Sequence, residues 1–239
     1  MKIRFWGTRG SIPTPGQRTV RYGGNTACVE VRDVAGHLLV LDAGTGLREL
    51  GLKLNGTSPL TVDLLLSHLH WDHIQGIPFF PVDLDGLPVH LEVHEFETGS
   101  KRNVGGYQVS AATIFHPAPA LAYRIEADGR SLVYATDTED PFSGQVNPVI
   151  ELAKNADALI HDGQFLDSDF KAGWGHSTVA AALDVAKRAK AKRLILYHHD
   201  PDRTDDALDR IGIETQHSAD EDGPGLEVIV AREGMELAL

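Results

Sequence analysis

An α/β layered fold is the class this sequence predicts, and three observations predict it. Short apolar runs recur along all 239 residues, each bounded by turn residues. Between them lie segments whose apolar positions return every three to four residues, the helical period. In AYRIEADGRSLVYA, Asp128 and Gly129 separate two alternating runs, the signature of a β-hairpin. Strands that alternate with helices, mixed with hairpin pairs, build sheets covered by helical layers.

The predicted strands, in order, are IRFW, ACVEV, HLLVLD, TVDLLLSH, VHLEV, VSAATIFH, ALAYRIE, SLVYATD, ALIHD, RLILYHH and LEVIVA. The predicted helices are GLRELGLKL, NPVIELAKNA and residues 178–191. Gly and Pro are scattered, with no repeat and no low-complexity linker, so one domain over residues 1–239 is expected. The opening MKIRFWGTRG lacks the apolar core of a signal peptide. No run approaches the roughly 18 apolar residues that cross a bilayer. The single cysteine, Cys28, lies in a strand-like segment and reads as core. These features predict a cytoplasmic protein that does not engage the membrane, and they leave a homodimer open.

Net charge is −12 with histidine neutral. Such a surface repels a phosphate backbone, so a large nucleic-acid ligand is disfavoured and a small anionic substrate expected. The one basic run, RAKAKR at 188–193, reads as the solvated end of a helix.

Residues 67–76, SHLHWDHIQG, carry the first chemical signal. A polar turn after a strand needs one Asp or Asn, not four coordinating side chains. In an extended segment His68 and His70 point the same way, because side chains alternate with period two. Asp72 and His73 follow as the chain turns into IQGIPFF. Four nitrogen and oxygen donors from one short loop suit zinc or a similar borderline metal.

The second signal is where the apolar runs stop. They end at Asp42, His68, His116, Asp137, the pair His161 and Asp162, and His198. One such residue is an ordinary turn; a succession of only His and Asp is not. Strands ending on one edge of a sheet bring these side chains to a common rim, where open α/β folds bind ligands.

Together these residues resemble the metallo-β-lactamase superfamily, and its RNase Z-like phosphodiesterase branch in particular. His68-Leu69-His70-Trp71-Asp72-His73 matches the H-x-H-x-D-H signature. His116, Asp137 in YATDT and His198 in LILYHH follow in the family's order, and IHDGQF followed by WGHST is similar to the HEAT-type and HST motifs of RNase Z relatives. The resemblance runs from GTRG to about residue 201. It implies a four-layer αββα sandwich with two divalent metal ions at one edge, zinc first, with manganese or iron(II) as alternatives. Carried over by position, His68, His70 and His116 would hold one ion, Asp72, His73 and His198 the other, and Asp137 would bridge them. Two dications outweigh two ligand carboxylates, so the pocket would be locally positive and suited to a phosphodiester. Ions roughly 3.5–4 Å apart lower the pKa of a shared water and stabilise an in-line displacement, and Asp72 would orient that water.

His176, in GHST, is expected to be the general acid for the departing alkoxide, with a cap on the following helix as the plain alternative. His161, Asp162 and Asp42 are expected to support the ligands from behind, Asp42 by bonding loop amides. His37, His90, His94, His199 and His217 fit no place in this constellation. Arg9, Arg18 and Arg21 lie in a loop that reaches the pocket mouth or is simply solvated.

RNase Z carries a long tRNA-gripping arm between the third and fourth metal motifs. Here His116 and Asp137 are 21 positions apart, room for one hairpin. With the acidic charge, this argues against tRNA maturation. The expectation is a metal-dependent phosphodiesterase for a small or cyclic phosphodiester, working through a hydroxide between the metals. Hydrolysis of a lactone, thioester or amide on the same centre is the alternative. A non-catalytic metal protein is the third reading, disfavoured by the full ligand set.

Overall fold

The computed structural model describes residues 1–54, 61–80, 95–141, 145–221, 223 and 225–239. The first half of the chain runs β1 (Lys2–Gly7), β2 (Cys28–Arg32), β3 (Leu38–Leu41), α1 (Gly46–Leu54), β4 (Asp63–Leu65) and a single helical turn, α2 (Trp71–Ile74). Then come β5 (Lys101–Val104), β6 (Tyr107–Thr113), β7 (Leu121–Ala127), β8 (Arg130–Ala135), α3 (Pro148–Leu152) and β9 (Ala158–Asp162). The chain closes with α4 (Val179–Ala189), β10 (Arg193–Tyr197), α5 (Asp205–Glu221), β11 (Glu227–Val230) and β12 (Glu236–Ala238).

Two sheets form, in the orders β12-β1-β2-β3-β4 and β11-β10-β9-β8-β7-β6-β5. Phe5, Val29 and Leu41 from the first sheet pack with Ile125, Ile160 and Tyr197 from the second in one core. The outer face of the second sheet, with Val133, Leu159 and Leu194, lies under Val149 of α3, Ala182 and Ala186 of α4 and Leu208 of α5. Leu47, Leu50 and Leu54 of α1 cover Val40 on the outer face of the first sheet. The result is the αββα sandwich.

The helices follow from local chemistry. In α4, Thr178 Oγ1 accepts the Ala181 amide at 3.1 Å, and Lys190 closes the helix with a left-handed φ of 55°. The hairpin between β7 and β8 turns at Asp128 and Gly129 with φ of 57° and 68°. Two successive positive φ values match the twist of the flanking strands.

Three elements escaped the sequence pattern. Helix α5 buries only Leu208, Ile211, Thr215 and Ala219 among its apolar and small residues, too thin a stripe to stand out. The strand β5, KRNV, is largely exposed, and its pairing with β6 makes it a strand. Short β12 likewise exists because β1 offers it a free edge. The expected strand VHLEV lies outside the described residues. Among those described, no helix is long and apolar enough to cross a membrane.

Direction matters most for the site. β6 and β8 are both antiparallel to β7, and β8, β9 and β10 are mutually parallel. The residues that follow β6, β8, β9 and β10 therefore gather on one edge of the second sheet. The parallel pair β3 and β4 delivers Asp42 and His68 to the same rim from the first sheet.

Candidate metal centre

After β4 the chain stays extended through His70 (φ −66°, ψ 151°), then turns into α2. His68 and His70 thus project side by side, with ring centroids 4.4 Å apart, and the helical turn brings Asp72 and His73 in beneath them. The structure brings together donor atoms of His68, His70, His116 and Asp137 in one cluster, and of Asp72, His73, Asp137 and His198 in a second, each within 4.8 Å. Asp137 belongs to both, and also to a third group with Asp162, His176 and His198.

In the second cluster, His73 Nε2 and His198 Nε2 stand 3.3 Å apart. Asp72 Oδ2 lies 3.2 Å from each, and Asp137 Oδ2 is 3.1 Å from the first and 3.2 Å from the second. In the first, His116 Nε2 is 3.2 Å from His70 Nδ1, and His68 Nε2 is 3.7 Å from Asp137 Oδ1. Of these ligand candidates His70 is exposed, His116 half-buried and the rest buried.

The outward nitrogens set the inward ones. His73 Nδ1 donates to Asp42 at 2.7 Å, His198 Nδ1 to Gln164 Oε1 at 3.0 Å, and His116 Nδ1 to the Gly175 carbonyl at 3.1 Å. Ser67 Oγ gives its proton to Asp42 at 2.8 Å, so it accepts from His68 Nδ1 at 3.1 Å. Each of these four rings consequently turns an Nε2 lone pair inward. Lone pairs and carboxylates converging without a donor repel one another, and buried His68 Nε2 has no hydrogen-bond partner. Imidazole nitrogens and carboxylate oxygens in this arrangement fit divalent cations of the zinc type.

The electrostatics agree. Burial works to lower the His73 pKa, yet Asp137 and Asp42 hold it well above its usual value. Burial dominates at His68 and pushes it down to about 4. Burial would raise Asp72, but the His198 and His73 imidazoles 3.2 Å away hold it below the carboxylate range. The second cluster demands positive charge, and the first presents a neutral imidazole.

Asp42 accepts the Ser67 amide at 2.7 Å, the Ser67 and Tyr134 hydroxyls and His73, so one buried carboxylate ties both sheets to the site. Asp162 takes the amides of Asp137 (3.1 Å), Gln164 (3.0 Å) and Ser177 (3.1 Å) and the His176 Nδ1 proton at 2.8 Å. Burial opposes charge on His176, but Asp162 outweighs it and raises the pKa to about 9. His176 also stacks on His198 at 5.1 Å. The helix cap is Thr178, not His176.

His161 does not join the cluster. Neighbours on a strand face opposite sides of the sheet, so His161 and Asp162 cannot both reach the rim. Its Nδ1 meets the Asp162 carbonyl at 2.8 Å, and its buried Nε2 has no partner. The loop arginines do not reach the site either. Buried Arg9 donates to the carbonyls of Gly23, Asp200 and Arg203, Arg18 to that of Asp202, and Arg21 pairs with Asp206 and Asp209. His37 pairs with Asp33, His199 donates to the Ala231 carbonyl, and His217 is exposed; His90 and His94 lie outside the described residues.

Several participants were invisible in the sequence. Ser67 and Gln164 lie within the motif stretches but announce no role there, and Tyr134 lies in a plain strand. Ser11 donates its amide to Asp72 at 2.8 Å from a φ of 64°, and a Cβ on Gly10 would come within 2.5 Å of His198. Asp42, Asp137 and His198 share positive φ, of 59°, 50° and 58°. Each costs on the order of 1–3 kcal/mol and marks where strands turn sharply at a functional rim.

Residues 79–199 match the sequence profile of the beta-lactamase superfamily domain. The chain belongs to the beta-lactamase superfamily. The ribonuclease Z of Thermoplasma acidophilum is 26% identical to this superfamily member, across 87% of this chain and 89% of that protein. The metallo-β-lactamase fold protein YhfI of Bacillus subtilis superposes with a TM-score of 0.75 at 22% identity, over 99% of this chain and 98% of its own. The short form of human tRNase Z gives 0.67 at 20% identity, over 100% and 99%.

These likenesses correct one expectation. A superfamily member that matches ribonuclease Z over most of both lengths cannot have large nucleic acids ruled out by charge and a short hairpin. Net charge is a sum over the surface, whereas a ligand feels the local potential. The acidic excess is also unevenly spread: α5 alone carries Asp205, Asp206, Asp209, Glu214, Asp220 and Glu221.

Proposed function

We propose that this protein is a dinuclear metal-dependent phosphodiesterase. His68, His70 and His116 would hold one ion, Asp72, His73 and His198 would hold the other, and Asp137 would be shared between them. Bound ions would supply an acidified water and positive charge for a phosphoryl group in displacement. The chain's own residues do the rest. Asp72, held by the Ser11 amide, orients the attacking water. His176, protonated and fixed by Asp162, gives its Nε2 proton to the leaving oxygen. Asp162 holds His176 in the protonated form that a general acid must carry into the reaction.

The observation that carries this reading is the Asp162–His176 pair set against a donor cluster shared through Asp137. Acyl transfer from a good leaving group needs no such acid. Small and cyclic phosphodiesters require nothing beyond this machinery and belong among the substrates, alongside RNA. The buried, unpaired Cys28 supports a reducing, cytoplasmic setting.

The test is turnover by zinc-reconstituted protein of an aryl phosphodiester, a cyclic nucleotide, an RNA and a lactone. Phosphodiester cleavage that requires metal is expected. Lactone turnover without any phosphodiester cleavage would overturn the reading.

A further inference from the structure

The stretch Thr138-Glu139 follows Asp137 and sits behind the rim. Glu139 is buried, and among the described residues its carboxylate pairs with no arginine or lysine. Instead it accepts the Gly173 amide, with 2.9 Å to each oxygen, and the Gly175 amide at 2.9 Å. Its own backbone amide donates to the Phe115 carbonyl at 2.8 Å, directly before His116. Next to it, the Thr138 carbonyl accepts the Ser177 hydroxyl at 2.5 Å.

These bonds hold a strap on both sides of one residue, His176. Gly173 and Gly175 have φ of 79° and 83°, a backbone that L side chains adopt at a cost. A Cβ on Gly175 would fall 2.1 Å from His116 Nδ1, and the Gly175 carbonyl accepts from that nitrogen. The strap therefore lies flush against the rim. A short loop rich in glycine has no intrinsic reason to keep that shape, since glycine loses the most freedom on ordering. A buried carboxylate is an expensive way to anchor two amides unless their position matters.

We infer that Glu139 is a positioning residue, which fixes the 173–175 strap and thereby aims His176 at the leaving group. The inference rests on the phosphodiesterase reading for its catalytic consequence, but its geometric content does not. Asp162 sets the tilt of the imidazole through Nδ1; Glu139 sets where the backbone of that ring begins.

The experiment compares zinc-loaded wild type with Glu139→Ala, Glu139→Gln, His176→Ala and the double variant Glu139→Ala/His176→Ala. Without reference to turnover, Glu139→Ala should speed hydrogen exchange of the Gly173 and Gly175 amides by roughly tenfold or more. It should also abolish the downfield proton resonance of the His176 Nδ1–H bonded to Asp162. An unchanged resonance would overturn the inference whatever the substrate proves to be.

In turnover, Glu139→Ala should lower kcat by roughly 10–100-fold on an alkyl phosphodiester, the scale of a small misplacement. The loss should be much smaller on an aryl phosphodiester, whose leaving oxygen needs little proton donation. Zinc content should stay at the wild-type level. In the His176→Ala background, adding Glu139→Ala should cost nothing further. Glu139→Gln keeps the volume and one acceptor, so it should recover part of the loss; it also carries the test if the alanine variant does not fold. Equal losses on both substrates, lost zinc, or a full extra loss on top of His176→Ala would make Glu139 merely structural. If wild type cleaves no phosphodiester, the functional reading fails, while the exchange and resonance measurements still decide the role of Glu139.

Discussion

Asp162 accepts the His176 Nδ1 proton at 2.8 Å and, through the same carboxyl group, the backbone amide of Asp137 at 3.1 Å. One side chain thus fixes both the proposed acid and the carboxylate shared by the two donor clusters. Asp162→Asn keeps the shape but offers a single acceptor oxygen. On an alkyl phosphodiester its kcat should fall by roughly 10²-fold or more, approaching the loss of His176→Ala. Steady-state kinetics on alkyl and aryl substrates decide it; an unaffected Asp162→Asn would break the dyad.

His176→Ala should itself lose roughly 10²–10⁴-fold in kcat on the alkyl substrate, and far less on the aryl one. Metal content should hold, since the seven ligand candidates lie elsewhere. Because Thr178 supplies the helix cap, the thermal midpoint should fall only as far as the lost bond to Asp162 dictates, about 1–3 kcal/mol of stability. A large drop in midpoint with normal turnover would return His176 to a structural role.

Metal analysis after mild zinc reconstitution should find two ions per chain. Removing them leaves buried nitrogens and carboxylates facing one another, so chelation should lower the thermal midpoint. With ligand at a thousand times Kd, each site adds about 4 kcal/mol to stability. A reproducible ceiling of one ion would take the bridging role from Asp137.

Asp42 touches no proposed ion, yet it orients His73 and takes protons from Ser67 and Tyr134. Asp42→Asn should weaken metal affinity by about 10–100-fold, the usual effect of removing a group behind a ligand. Competition with a chromophoric chelator measures it. Wild-type affinity in the variant would show that His73 needs no such support.

His199 predicts a pH dependence. Burial pushes its pKa down to about 3, whereas the unfolded chain titrates near 6.5. Below about 6.5 the unfolded state binds a proton that the native state does not, so stability is lost as pH falls toward 3. His199→Gln keeps a donor for the Ala231 carbonyl and removes the titration. In chelated protein, wild-type stability should fall relative to the variant by about 1.4 kcal/mol per pH unit below that point. Denaturant curves at pH 7, 6 and 5 test this, and parallel losses in the two proteins would refute it.

What the sequence determined by itself is local. The H-x-H-x-D-H run placed four donors on one loop because an extended segment followed by a helical turn is a short-range event. Asp42, His116, Asp137, Asp162 and His198 were legible as the stops of apolar strands, and Asp128 with Gly129 as a hairpin turn. An α/β layered fold followed from the same alternation, and its αββα form from the family signature.

Tertiary structure decided everything that depends on which face a residue takes and what lies across from it. Adjacent His161 and Asp162 look equivalent in sequence, and strand alternation separates them, one turned from the rim and one at its centre. Arg9 reads as a loop residue and is buried against three carbonyls. Helix α5 and strands β5 and β12 exist because a neighbour offers them a surface, which a sparse apolar stripe does not announce. Gln164, Tyr134 and Glu139 act through bonds to residues 34, 92 and 34–36 positions away. Contacts over such separations form only once the sheets have packed, so no local pattern encodes them.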